Sequence, residues 1–232
     1  ISDNHFFMET GKEYGSSMVT GFIRLNGITV GCVANRTESY DESGVKTMSC
    51  EAKLTGQGCE KAAEFVGFCD AFDIPLLTLV NVTGYESTTG SEKTIAKAAA
   101  KLTYAFANAT VPKVTVVVGQ ALGSAYLTMN SKSIGADIVY AWPEAAIGMM
   151  DPVQAAKIMY ADEIAKSEDG KTVMEEKAES YRALQSSALS AAKRGYVDDI
   201  IDASETRARV IAAFEMLFTK REDRPAKKHG TI

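Results

Sequence analysis

Two β-branched runs, Met18–Leu25 and Ile28–Asn35, flank the dipeptide Asn26-Gly27. Asn-Gly supplies the backbone geometry of a two-residue hairpin turn, so this pattern predicts an antiparallel pair. Residues Arg36–Gln57 hold Gly44, Gly56 and no apolar period, which predicts a long, mobile polar loop. From Cys59 to Phe72, Ala63, Phe65, Val66, Phe68 and Cys69 recur at helical spacing, and Ile74-Pro75 ends the helix. Leu76–Val82 is an almost unbroken apolar run, as expected of a strand covered on both faces.

The alternation continues. Ser91–Ala109 reads as an alanine-rich helix with Ser91 as N-cap and Ile95, Ala98, Leu102 and Phe106 along one side. Val114–Val118 predicts a second buried strand, Gly119–Gly123 a glycine-bearing turn, and Ser124–Met129 a helix start. Ala136–Ala141 predicts a third strand. Beyond Pro152 the pattern is helical over Pro152–Lys166, Thr172–Arg194 and Glu205–Lys220. Strands alternating with helices and followed by a helical tail predict an α/β fold with a largely parallel sheet. No repeat or low-complexity linker divides the 232 residues, which predicts one domain over residues 1–232.

Composition narrows the class. With 46% hydrophobic and 24% charged residues the chain is of the soluble globular type, and a net charge of -5 gives no reason to expect nucleic-acid binding. No apolar run approaches the ~18 residues of a membrane helix. The chain opens at Ile1 without Met or a signal-peptide pattern, which predicts a processed or truncated start and a cytoplasmic location. Cys32, Cys50, Cys59 and Cys69 form no CxxC pair and have no histidine nearby, which argues for free thiols in a reducing compartment and against a metal. The only histidines, His5 and His229, sit at opposite ends of the chain. Any chemistry here is therefore expected to rest on backbone amides, carboxylates, hydroxyls or a cofactor.

Two segments share one physical form, a buried strand that ends at glycine and leads into a helix. They are Val80–Tyr85, which contains Gly84, and Val118–Tyr126, which contains Gly123-Ser124-Ala125. A helix start offers free N–H groups with partial positive charge, and small residues let a ligand oxygen approach them. Such amides form an oxyanion hole without histidine, although glycine after a strand also serves simply to turn the chain. Neither segment is a P-loop or GxGxxG.

At these residues the chain resembles the biotin-dependent acyl-CoA carboxyltransferases. The resemblance is carried by residues 72–85 (FDIPLLTLVNVTGY), 101–114 (KLTYAFANATVPKV), 121–126 (ALGSAY), 140–143 (YAWP), 194–200 (RGYVDDI) and 224–230 (RPAKKHG). Val19–Arg24 and Val30–Asn35 look like the family's opening hairpin, so the match covers nearly the whole chain. It is a match to the C-terminal half of that enzyme type, and it implies a crotonase-like (ClpP/crotonase) spiral of β-β-α units. In the family this half receives carboxybiotin while an N-terminal half of a neighbouring subunit holds the acyl-CoA. The resemblance thus implies half an active site, a homo- or hetero-oligomer, an N-terminal-type partner half, and biotin on a separate carrier protein. No Met-Lys-Met biotinylation site surrounds Lys46 or Lys132.

The implied reaction moves a carboxyl group between carboxybiotin and a short acyl-CoA, each developing oxyanion being held by two backbone amides. On the biotin side these map onto Gly123, Ser124 and Ala125, with the N–H groups of Ser124 and Ala125 as donors. Gly84, Tyr85 and Tyr126 map to the biotin site and Leu127 to the acyl pocket. Where the family usually has Arg-Lys and Gly-Gly-Ala, this chain has Gly119-Gln120 and Gly123-Ser124-Ala125. Because relatives include decarboxylases, a place beside a membrane decarboxylase complex is also open. Two rival readings stand: a non-catalytic scaffold subunit, and a self-contained hydratase or isomerase using Glu86 or Glu144 as acid or base.

Plainer roles compete for several residues. Tyr85 and Tyr126 can be packing residues, Trp142 a core anchor, Asp151-Pro152 a helix start and Asp198-Asp199 a turn or cap. The mixed-charge segment Lys220–Lys228 reads as a solvated tail or subunit contact, and Ala96, Ala98, Ala99 and Ala100 as a close helix contact.

Overall fold

A computed structural model describes residues 1–41, 43–167 and 169–223. The chain enters through β1 (Phe7–Thr10), then β2 (Met18–Leu25) and β3 (Ile28–Asn35), which pair antiparallel in full register around Asn26-Gly27. Asn26 and Gly27 both have positive φ, 51° and 81°, as the predicted hairpin turn requires. β1 was not evident in the sequence, because Phe7–Thr10 is an exposed edge strand with no buried face to impose alternation.

Residues 36–57 are not the unstructured loop expected. They form a small hairpin, β4 (Glu38–Tyr40) with β5 (Lys46–Ser49), and then β6 (Lys53–Leu54). β4 and β5 are mostly exposed and pair only with each other, so they leave no hydrophobic signature, whereas β6 pairs outside the segment. Helix α1 (Gly56–Ala71) starts before the apolar period does, because Thr55 caps it by accepting the Gly58 N–H at 3.1 Å. β7 (Leu76–Val82) has the predicted bounds, and β8 (Gly84–Tyr85) follows and pairs parallel with β6.

Ser91 does not cap the next helix. Its hydroxyl reaches the Glu86 and Thr88 carbonyls at 2.9 and 3.1 Å and folds a tight turn, and α2 (Ile95–Asn108) begins later. Along α2, Ala98, Leu102 and Phe106 are buried as predicted, whereas Ala96 and Ala100 face out. β9 (Lys113–Leu122) runs through the expected turn at Gly119, and α3 (Gly123–Thr128) follows it directly. Next come β10 (Ile138–Ala141), β11 (Ala146–Gly148), α4 (Pro152–Met159), α5 (Ala161–Lys166) and α6 (Gly170–Tyr181). A π-turn at Arg182–Ser186, α7 (Ala188–Lys193), β12 (Asp199–Ile200) and α8 (Thr206–Met216) complete the described chain. The two long helices expected over Pro152–Arg194 are thus broken at Tyr160 and again through the π-turn.

Among the described residues one sheet of eight strands has the order β1-β2-β3-β7-β9-β10-β12, with β11 also on β9. From β3 onward every pair is parallel. Burial on both faces explains the continuous apolar runs of β7 and β9. One face packs Leu76, Val80, Val82, Val117 and Ala121 against α1, α2, α3 and α7. The other packs Leu77, Val114 and Val116 against Val210, Ala213 and Phe214 of α8. Half-buried Trp142 anchors α8 from the sheet, donating its indole N–H to Thr206 Oγ1 at 2.9 Å.

β9 is long enough to take two partners in succession on one edge. β10 pairs with Val114–Val117 and β11 with Gln120–Leu122. The helices α4 to α6 leave after β11 and return at Ser187, which bridges back to Ala146. Asp151 caps α4 with Pro152 at its first position, as predicted.

Other expectations are corrected. Asp198 accepts the Val139 N–H at 2.8 Å and pairs with Lys132, while Asp199 lies in β12 facing Arg209 at 3.6 Å, so the two carboxylates serve separate partners and neither caps a helix. Lys220 is no solvated tail residue, because its amine reaches Asp137 Oδ2 at 2.9 Å and the Val111 carbonyl at 3.1 Å. His229 and the block 224–230 lie outside the described residues.

Candidate active site

The end of β9 shapes the site. Gly123 turns the strand into α3 with φ +62°, and a Cβ there would lie 3.2 Å from the Met149 carbonyl. Glycine suits both conditions. The N-cap of α3 is Leu122, whose side chain makes no capping hydrogen bond. No capping side chain therefore accepts the next amides of the helix, at Ser124 and Ala125.

A chain of hydroxyls holds α3 in place. Thr128 Oγ1 donates to the Ser124 carbonyl at 3.1 Å and accepts from Thr103 Oγ1 of α2 at 3.2 Å, and Tyr85 Oη lies 2.9 Å from it. Just beyond the helix, buried Asn130 donates its side-chain amide N–H to Thr115 Oγ1 of β9 at 2.9 Å, and its backbone carbonyl accepts from the same threonine at 2.7 Å.

Gly123 and Ser124 open onto a cleft of about 700 Å³, within the ~300–1,000 Å³ range usual for small-molecule sites. Tyr126 and Leu127 continue the same wall, and Gly148 and Met149 of the β11 edge face them. Much of the remaining wall comes from later in the chain: Tyr181 at the end of α6, Gln185 in the π-turn, and Arg194 and Tyr196 after α7.

Tyr126 is 6% exposed, and its hydroxyl has no hydrogen-bond partner among the described residues. Burial pushes this phenol up to about 12, so it remains a neutral donor across the physiological range. The hydroxyl is itself buried, so Tyr126 offers the cleft its ring and not its donor.

The structure brings four of the predicted residues, Gly123, Ser124, Tyr126 and Leu127, onto this one cleft. Ala125 lies between them with its side chain buried. Gly84 and Tyr85 are not on the cleft wall. They form β8 behind α3, where the Tyr85 ring packs on the core and its hydroxyl meets Thr128. Glu86 and Glu144 are absent from the lining, and no carboxylate lines the cleft among the described residues. His5 is in a short turn before β1, also away from it.

Sequence reasoning gave no role to Tyr181, Gln185, Arg194 and Tyr196. The block RGYVDDI was noticed for its resemblance, but nothing local showed that its first residues face the glycine turn.

A family model for the carboxyl transferase domain matches residues 1–232. The chain belongs to the carboxyl transferase domain family. It is 42% identical over 227 residues to the methylmalonyl-CoA carboxyltransferase 12S subunit of Propionibacterium freudenreichii, covering 97% of this chain and 41% of that protein. It is 43% identical over 237 residues to the propionyl-CoA carboxylase beta chain of Saccharopolyspora erythraea, covering 100% of this chain and 42% of that one. Among solved structures, the transcarboxylase 12S hexamer with methylmalonyl-coenzyme A and methylmalonic acid bound superposes with a TM-score of 0.89 at 42% identity. That match covers 99% of this chain and 42% of the other. The chain thus spans less than half the length of these relatives, and it has the crotonase-like carboxyltransferase fold that the resemblance implied.

Proposed function

We propose that this chain is a C-terminal-type carboxyltransferase domain, residues 1–232, that supplies the biotin-side half of an acyl-CoA carboxyl-transfer site. The observation that carries the reading is the strand-to-helix turn at Gly123, whose uncapped first amides open on a cleft that no carboxylate lines among the described residues. A hydratase or isomerase needs a carboxylate poised there, which favours carboxyl transfer over that rival.

Biotin, arriving on a separate carrier protein, would supply the ring nitrogen that carries the transferred carboxyl group. The N–H groups of Ser124 and Ala125 would hold the negative charge that develops on the urea oxygen. Tyr126 would pack its ring beside the biotin bicycle and Leu127 would bound the acyl side. Gly84 and Tyr85 would act from behind, keeping α3 in register through Thr128. An N-terminal-type half, supplied by another polypeptide or a neighbouring subunit, would hold the acyl-CoA and complete the site in an oligomer. No described helix is long and apolar enough to cross a membrane, which suits a cytoplasmic domain, free or docked on a membrane decarboxylase complex.

The deciding experiment is carboxyl transfer from malonyl-CoA or methylmalonyl-CoA to biocytin, run with this chain alone and with an N-terminal-type half. Activity only in the mixture is expected. Replacing Ser124 by Pro in that mixture removes one donor and should slow transfer about 10²–10³-fold. Full activity of the chain alone would place the acyl-CoA site within it. Silence of a mixture shown to assemble would favour a scaffold role.

A further inference from the structure

We infer that Arg194 recognises the carboxylate of the group being transferred, an assignment that rests on the carboxyl-transfer reading above. Among the described residues that line the cleft, Arg194 is the one charged side chain. Its guanidinium is held by a neutral partner. Nη1 donates to the Gln185 carbonyl at 3.2 Å, and Nη2 donates to Gln185 Oε1.

Both acceptors belong to one residue of the π-turn, an element frequent at functional sites. With both terminal nitrogens engaged by Gln185, the Nε–H and the remaining N–H on the same edge stay available for a second, bidentate partner. No carboxylate among the described residues pairs with Arg194, which lies beside an otherwise apolar and hydroxyl-lined cleft. The net charge of the chain is -5, so general surface attraction does not draw an anion in. Local recognition has to do so, and Gly119-Gln120 add no cation near the turn.

A planar carboxylate can reach Arg194 from two sources, an N-carboxylated cyclic urea or a dicarboxylic acyl thioester. Calorimetric titration of the full chain separates them. One probe pair is (2-oxoimidazolidin-1-yl)acetate and its neutral amide; the other is malonyl-CoA and acetyl-CoA. The acetate should bind about tenfold more tightly than the amide. Arg194→Gln should erase that preference and Arg194→Lys should keep part of it, with urea-denaturation midpoints equal to that of the unaltered chain showing that the fold is intact.

A preference for malonyl-CoA over acetyl-CoA that disappears in Arg194→Gln, with the urea pair indifferent, would uphold the assignment and place the carboxylate on the thioester. Equal affinity within both pairs for the unaltered chain, with the amide still bound, would overturn the role of Arg194 and leave the ring site standing. Failure of all four probes to bind would overturn the ring site and the Arg194 assignment together.

Discussion

Asn81 Oδ1 accepts the backbone N–H of Gln120 at 3.0 Å, from inside the register shift that interrupts pairing between β7 and β9. A Cβ at Gly119 would stand 2.7 Å from that same oxygen. Gly119 is thus the gap that admits the Asn81 side chain, and β9 can continue to Leu122 and deliver Gly123 to the cleft.

Gly119→Ala should cost about 1–3 kcal/mol by displacing Asn81, and Asn81→Ala about 1 kcal/mol through the lost acceptor. The double variant should cost less than the sum, since removing Asn81 makes room for the new methyl group. Urea denaturation of the four forms measures the coupling, and strict additivity would refute the steric account.

Gly123→Ala asks a Cβ-bearing residue to hold φ +62° against the Met149 carbonyl. About 1–2 kcal/mol of stability should be lost, and affinity for the cyclic-urea amide should fall because the turn that aims the first amides of α3 must relax. Unchanged stability and affinity would mean that the backbone geometry at this position is not needed.

Tyr126 and Tyr85 should respond differently to loss of the hydroxyl. Tyr126→Phe removes an orphaned buried donor and should be neutral or stabilising by about 1 kcal/mol. Tyr85→Phe takes one partner from Thr128 and should destabilise by about 1 kcal/mol. Equal stability losses in the two variants would show that the Tyr126 hydroxyl has a partner in the folded chain.

Three buried thiols predict alkaline sensitivity. Burial pushes Cys32, Cys59 and Cys69 from an ordinary value of 9.0 to about 12. The unfolded chain therefore releases these protons first, so their contribution is intact below pH 9 and is lost as pH climbs towards 12. Each thiol should weaken the fold by up to about 1.4 kcal/mol per pH unit in that window. Urea midpoints at pH 8 and pH 10.5 test this, and Cys32→Ala, which removes one of these groups, should flatten the slope.

Lys113 is fully buried at the start of β9, and its amine donates to the Phe106 carbonyl in the last turn of α2 at 2.8 Å. Lys113→Met keeps most of the volume but leaves that carbonyl short of a donor, at a cost of about 1–3 kcal/mol. A midpoint within error of the parent would show that water replaces the amine.

The local part of this fold was readable from the chain. Asn26-Gly27 announced the hairpin because only a tight turn with positive φ uses that dipeptide so readily, and LLTLVNV announced β7 because a strand buried on both faces needs no alternation. Gly119 misled because glycine marks a turn and a close approach alike, and the approaching atom belongs to Asn81, a neighbour only through the sheet. Ser91 misled in a similar way, since its hydroxyl serves the turn before the helix. The glycine turn of the site was evident from one stretch of sequence. Its opposite wall, from Tyr181 to Tyr196, was not, because only the return of the helices at Ser187 carries those residues across.

The bridge between Ala146 and Ser187 ties the excursion α4–α6 at its neck. A segment closed in this way behaves as an interchangeable insert, since altering its length changes closure entropy only logarithmically. The strand register on β9 continues to position Gly123 and Gly148 whatever the insert carries. The outer faces of α4 and α5, which do not line the cleft, can therefore vary while the glycine turn stays untouched.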